Sequence, residues 1–148
     1  MHLEPPGKKN EAIGRSVGGL TTKIHCLAES HGNPKSLLLT GGNIHDIVVA
    51  KEILGKEISN AVMGDKGYDS DSFRADIESK GAIAVIPYKR NRKRRKSIDM
   101  ILYGARHCIE NLFSKIKHFR SVATRYEKTA INFLSVVCLA CCVIWARL

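Results

Sequence analysis

The stretch YGARHCIENLFSKIK at 103–117 sets one carboxylate, Glu110, among Arg106, His107, Lys115 and Lys117. On a helix, at about 100° per residue, Tyr103, Arg106, Glu110 and Lys117 share one arc roughly 60° wide. Leu102, Ala105, Ile109, Leu112, Phe113, Ile116 and Phe119 share a separate arc that reads as a core face. The plainest chemistry for the polar stripe is an i,i+4 ion pair between Arg106 and Glu110, worth roughly a few tenths of a kcal/mol on a wet surface. The alternative is an acid whose basic and aromatic neighbours are there for its sake. A second acid, Asp65 in GDKGYDS at 64–70, stands where an apolar run ends and Gly67 follows. An Asp shortly before a Gly is common turn chemistry, but ends of sheet strands are also where ligand sites gather. Asp69 and Asp71 read as turn and helix-start residues. His45 and Asp46 close the block GGNIHD at 41–46, and Asp46 can equally cap the helix that follows.

One further stretch concentrates charge. Lys89 to Lys96 carries seven cations in eight residues, with Arg92, Lys93, Arg94 and Arg95 at its centre. Such a run is most simply a solvated loop. Its density also suits counterion-release binding to a nucleic-acid backbone. It contains no aromatic residue to stack on bases, so little sequence reading is expected there.

The totals agree with a polyanionic partner. Lys and Arg number 24 against 14 Asp and Glu, a formal charge of +10 in 148 residues, and the pI is about 9.6. That excess favours nucleic acid over most other partners. An anionic membrane surface rests on charge alone, and the bland reading is a charge that only prevents association. Five cysteines is an odd number, and no secretory leader is visible in this sequence. A reduced, cytoplasmic setting associated with the nucleoid is therefore expected, not a disulfide framework. Cys138 and Cys141 form a C-x-x-C, but they lie inside an apolar helical pattern with no second ligand pair, so buried thiols are expected. The apolar segment 133–146 falls short of the ~20 residues a membrane span needs; it reads as a buried C-terminal helix, and no membrane is expected as a partner.

The elements that must position these residues follow from pattern. Residues 1–19 are polar and rich in Gly and Pro and read as an N-terminal segment, with a single domain from 20 to 148. TTKIHCLAE and KSLLLT, joined by SHGNP, predict two strands and a turn. A helix is expected over IHDIVVAKEILGKEI, a short strand at AVM leading into the GDKGY turn, and a helix over SDSFRADIESKG with Ser70 as its cap and Gly81 as its stop. AIAVIPY predicts a buried strand. After the basic loop come two helices, at about 98–119 and 129–147. The fold class is α/β, a central mixed sheet with helices packed on it.

Spacing and residue type together carry a family resemblance. Tyr103-x2-Arg106-x3-Glu110-x6-Lys117 resembles the Y-(2)-R-(3)-E-(6)-K signature of DDE transposases from bacterial insertion sequences, of the insertion sequence 4/5-like superfamily. GRSVGGLTTKIH at 14–25, GGNIHD, GDKGYDS and the tail from Phe119 to Trp145 resemble the same family in the same order. The resemblance implies an RNase H-like fold in which three carboxylates hold two divalent cations, Mg²⁺ or Mn²⁺. Asp65 matches the second acid and Glu110 the third. Tyr103, Arg106 and Lys117 match positions that grip DNA phosphate, and His45 and Asp46 match an element of less defined role. The first acid lies in this family on a strand ahead of GRSxGGLTTKIH, and no Asp stands before Asp46 here. The resemblance thus implies the C-terminal part of a catalytic domain lacking its first strand, with an incomplete two-metal site and no transposition by this chain alone. Partners implied are DNA (insertion-sequence ends and target) and the N-terminal transposase part; a homo-oligomer is compatible with it. The competing reading is a basic DNA-binding protein without chemistry, such as a regulator derived from a transposase.

Overall fold

A computed structural model of the protein describes residues 11–57, 59–93 and 95–146. They fall into two compact units, one drawn from residues up to Ile44 and from Cys108 onward, the other spanning His45–His107.

In the first unit, β1 (Gly14–Ser16), β2 (Gly19–Ala28) and β3 (Pro34–Gly41) form an antiparallel sheet in the order β1-β2-β3. The turn between β2 and β3 is the expected one. Gly32 there takes φ +86° and donates its N–H to Glu29 O at 2.9 Å, a conformation that side chains disfavour. The register pairs Ile24 with Leu39 and Cys26 with Leu37. Strand alternation turns Ile24, Cys26 and Ala28 of β2, with Leu37 and Leu39 of β3, toward one core. Helices α4 (His107–Lys117), α5 (Arg120–Ala123) and α6 (Ala130–Trp145) cover that face. α4 contributes buried Leu112 and Ile116, and α6 contributes Phe133, Leu134, Val137, Cys138 and Cys141. The C-terminal helix is therefore buried by a core, as its apolar pattern predicts. Among the described residues no helix is long and apolar enough to cross a membrane.

The second unit holds α1 (Asp46–Leu54), β4 (Ala61–Met63), a 3₁₀ turn (Lys66–Tyr68), α2 (Asp71–Ser79), β5 (Ile83–Val85) and α3 (Met100–Gly104). β4 and β5 pair in parallel. Parallel neighbours need a crossover, which α2 supplies. Its buried Phe73 and Ile77 join Val49, Ala50 and Leu54 of α1 and Val85 and Ile86 of the β5 segment in burial.

Three expectations need correction. The strands form two sheets rather than one mixed sheet. Joining them takes a strand hydrogen-bonded to both, and none of the described strands is. β2 is paired by β3 over Thr22–Ala28, while β1 reaches only Gly19–Thr21 on its other edge. The segment 1–19 also contains structure: Gly14–Ser16 is strand, and Ala12 is buried. Its first ten residues lie outside those described. Finally, the helix expected over 98–119 is broken at residues 105 and 106. Ala105 and Arg106 donate to Leu102 O and Tyr103 O, one residue short of the α-helical partner. His107 Nδ1 lies 2.8 Å from Gly104 O, the carbonyl a continuous helix would offer to residue 108. A glycine at the break costs roughly 1 kcal/mol of helix propensity relative to alanine, which favours the interruption there.

Candidate active site and nucleic-acid interface

Asp65 follows the end of β4, where Gly64 N–H extends the parallel ladder to Val85 O at 3.3 Å. It occupies the cap of the 3₁₀ turn, and its exposed carboxylate accepts the Gly67 N–H at 2.7 Å. A Cβ on Gly67 would stand 2.8 Å from Asp65 Oδ1 and 3.6 Å from Asp46 Oδ2. Glycine thus lets two carboxylates from separate elements approach one spot. Asp46 is the first residue of α1 and lies in its first turn, where a negative charge meets the positive end of the helix. The cap position itself belongs to the exposed His45, which makes no side-chain cap bond. Asp46 and Asp65 are therefore brought together, and Asp46 does not cap α1.

The two oxygens nearest a Gly67 Cβ, Asp65 Oδ1 and Asp46 Oδ2, are both carboxylate oxygens, the type a hard divalent cation prefers. Among the described residues, however, no group of three or more His, Cys, Asp or Glu is arranged to hold a metal ion. The C-x-x-C cysteines form no such group either, and none of the five cysteines is in a disulfide.

Glu110 is exposed in the first turn of α4, and Lys117 is exposed in its last. Tyr103 belongs to α3 and Arg106 to the break, with the Arg106 guanidinium 5.4 Å from the Tyr103 ring centroid. The four matched positions thus come from two helices and the turn between them, not from one continuous stripe. Asp65 belongs to the second unit and Glu110 to the first.

The basic run divides in the same way. Lys89, Arg90, Lys93, Arg95 and Lys96 are exposed, and Arg94 lies outside the described residues. Arg92 is engaged: its Nε donates to Asp69 Oδ2 at 3.1 Å and its Nη1 to Asp71 Oδ1 at 2.5 Å. Asp69, which reads locally as a turn residue, has a side chain with no exposed surface. Its Oδ1 accepts Arg74 Nε and Nη2 at 3.2 and 3.0 Å. Its Oδ2 also accepts the Lys89 N–H at 2.7 Å. Burial alone would raise the Asp69 carboxyl, but the Lys89 N–H and the Arg74 and Arg92 guanidinia outweigh it and hold the group below the usual carboxylate range. Arg74 also donates to Ile86 O at 2.7 Å and lies 3.9 Å over the Tyr88 ring. Local reasoning missed this network because its partners stand 5, 20 and 23 residues from Asp69.

Arg125 was missed for the same reason. It donates Nε to Glu127 O at 2.9 Å and Nη2 to Lys128 O at 3.2 Å. Nη1 reaches Glu11 O at 2.8 Å and Thr22 Oγ1 at 2.6 Å, across more than a hundred residues of chain. Glu11 in turn accepts the Ala130 N–H at 2.7 Å and caps α6.

An α/β chain with exposed acids at a strand end and on a basic helix is the kind of scaffold on which metal-assisted phosphoryl chemistry is built. Comparison with known families gives the class: residues 2–145 match the transposase DDE domain, and the chain belongs to that family. It is similar to a Brucella ovis protein named "Putative transposase for insertion sequence element IS6501", 38% identical over 130 residues, 86% of this chain and 100% of that protein. It is also similar to the Burkholderia cepacia protein "Putative transposase for insertion sequence element IS402", 26% identical over 135 residues. That second alignment takes in 83% of this chain but 62% of the relative's length. No solved structure matches the chain.

Proposed function

We propose that this chain supplies two catalytic carboxylates, Asp65 and Glu110, and a DNA-binding surface to transposition of an insertion sequence. The observation that carries the reading is Asp65, an exposed acid at the end of β4 held by the Gly67 N–H, within a chain of the DDE family. The carboxylates bind Mg²⁺ or Mn²⁺ through oxygen. When bound, such ions activate water or a 3′-hydroxyl and stabilise the leaving oxygen. Arg106 offers a fork and Lys117 a point charge to phosphate, and Tyr103 orients Arg106 from its ring face. Asp46 borders the Asp65 turn in the fold and is a candidate additional ligand, and His45 precedes it in sequence as a second candidate. Lys93 and Arg95, with Arg92 and Arg94 beside them, hold the DNA backbone without reading sequence.

The first acid of the family's set, an Asp, has no counterpart before Asp46 in this sequence. We therefore propose an RNase H-like core completed by the N-terminal transposase part, and no strand transfer by this chain alone. The test is thermal unfolding with added Mn²⁺. Stabilisation that is lost in Asp65→Asn and in Glu110→Gln is expected. Robust Mg²⁺-dependent cleavage by the purified chain, abolished in Asp65→Ala, would overturn the claim of incompleteness.

The +10 charge favours a second reading, DNA binding without chemistry. Salt-sensitive binding indifferent to metal would select it.

A further inference from the structure

We infer that Asp69 is a positioning residue for DNA binding: it staples the basic loop into one shape, so that Arg92 acts as an internal strut while its neighbours meet phosphate. This rests on the reading that the loop binds DNA. A buried carboxylate beside a DNA-binding loop lowers the positive potential that attracts DNA, so charge counting alone makes Asp69 a defect.

Geometry supplies a different role. The Lys89 N–H, where the loop begins, is fixed to Asp69 Oδ2, and Arg92, near the loop's middle, is fixed to the same oxygen. The segment just before the loop is fixed as well, through Arg74 to Ile86 O and the Tyr88 ring. The loop then folds on itself. Arg92 N–H donates to Lys89 O at 3.0 Å, and Arg95 donates Nε to Arg92 O at 3.1 Å and a second N–H to Arg90 O. Asp71, exposed, braces the far side of Arg92. Among the described residues of the loop, Lys89, Arg90, Lys93, Arg95 and Lys96 are exposed. A free loop of this length would lose roughly 1–2 kcal/mol per residue in backbone entropy on docking to a phosphate track. A stapled loop has already met that cost in folding, which is the general basis of preorganised binding.

Charge and positioning predict opposite signs. Asp69→Asn removes a negative charge, so charge counting expects tighter binding, whereas positioning expects weaker. Asp69→Asn also leaves two arginines without their buried partner and so lowers stability; Arg92→Lys keeps the charge but cannot fork between Asp69 and Asp71. The experiment is fluorescence anisotropy with a mixed-sequence DNA duplex across a salt series, alongside amide hydrogen exchange over residues 89–96. Arg92→Lys is expected to weaken the Kd about fivefold with an unchanged salt slope, and to speed exchange of the Lys89 amide. Binding by Arg92→Lys within about twofold of the native protein overturns the inference, whatever the exchange rates show. Arg90→Glu and Lys93→Glu test the underlying reading separately. If neither lowers affinity or salt slope, the loop is not the DNA surface and both ideas fall.

Discussion

Replacing Arg125 with Met should destabilise the first unit by about 3–4 kcal/mol while leaving its secondary structure content intact. The side chain is half-buried and its guanidinium meets the backbone carbonyls of Glu11, Ala12, Glu127 and Lys128, the Thr22 hydroxyl, and the Phe133 ring at 5.3 Å. Hydrogen bonds to a charged donor contribute roughly 1.5–3 kcal/mol each when one partner is removed. The two longest, to Ala12 at 3.4 Å and Lys128 at 3.2 Å, are weak, and water can reach part of the site. Three effective bonds, discounted for partial solvation and shared geometry, give about 3–4 kcal/mol, while the Met stem keeps most of the packing. Urea unfolding followed by far-UV circular dichroism reads this directly. With a slope of about 2 kcal/mol/M, the midpoint should fall by roughly 1.5–2 M. Arg125→Lys should fall between the two proteins, because an ammonium cannot span carbonyls on both sides of the site. A midpoint shift under about 0.5 M for Arg125→Met would refute the clamp.

Two further predictions concern titration. Burial, and then the neighbouring Cys141, pushes the Cys26 thiol up to about 12. Burial, with Cys138 and Cys142 beside it, pushes Cys141 to about 11. At pH 8 a thiol reagent should therefore modify the exposed Cys142 first, with Cys26 and Cys141 reacting only as fast as the first unit opens. Equal rates at all sites would contradict the packing. These raised thiols also predict stability that is present below about pH 9 and lost as pH rises toward their folded values. Asp69 works in the other direction. Its folded carboxyl lies below the ordinary value, so its contribution is present above about pH 4 and lost as pH falls through the folded value. The stability gap between native protein and Asp69→Asn, read from urea midpoints, should be wide at pH 7 and shrink on acidification; a gap independent of pH counts against the ion network.

Much of the framework was legible locally. Gly and Pro chemistry in SHGNP, with apolar alternation on either side, gave the β2–β3 hairpin, and the long apolar run gave α6. Of the core arc over 102–119, Ile109, Leu112, Phe113, Ile116 and Phe119 join the first unit's core, whereas Leu102 and Ala105 belong to the second unit. These signals act over a few residues, where periodicity and turn preference dominate. Asp65 at the end of β4 was legible for the same reason. The helix break was not. It brings the His107 ring to Gly104 O, a side-chain contact that a helical wheel cannot register. Nor was the division of strands into two sheets, because pairing between distant strands leaves no local trace.

The amino-acid sequence by itself determined the order of the main elements, the excess of positive charge, and which acids, Asp65 and Glu110, occupy the family's spacing. Those properties are local or additive along the chain. Tertiary structure alone decided that Asp69 is a buried anchor rather than a turn residue, that Arg92 is paired with Asp69 and Asp71, and that Arg125 ties residues 11, 22 and 127 together. Each depends on desolvating a charge against partners far away in sequence, and only the folded chain brings those partners within reach.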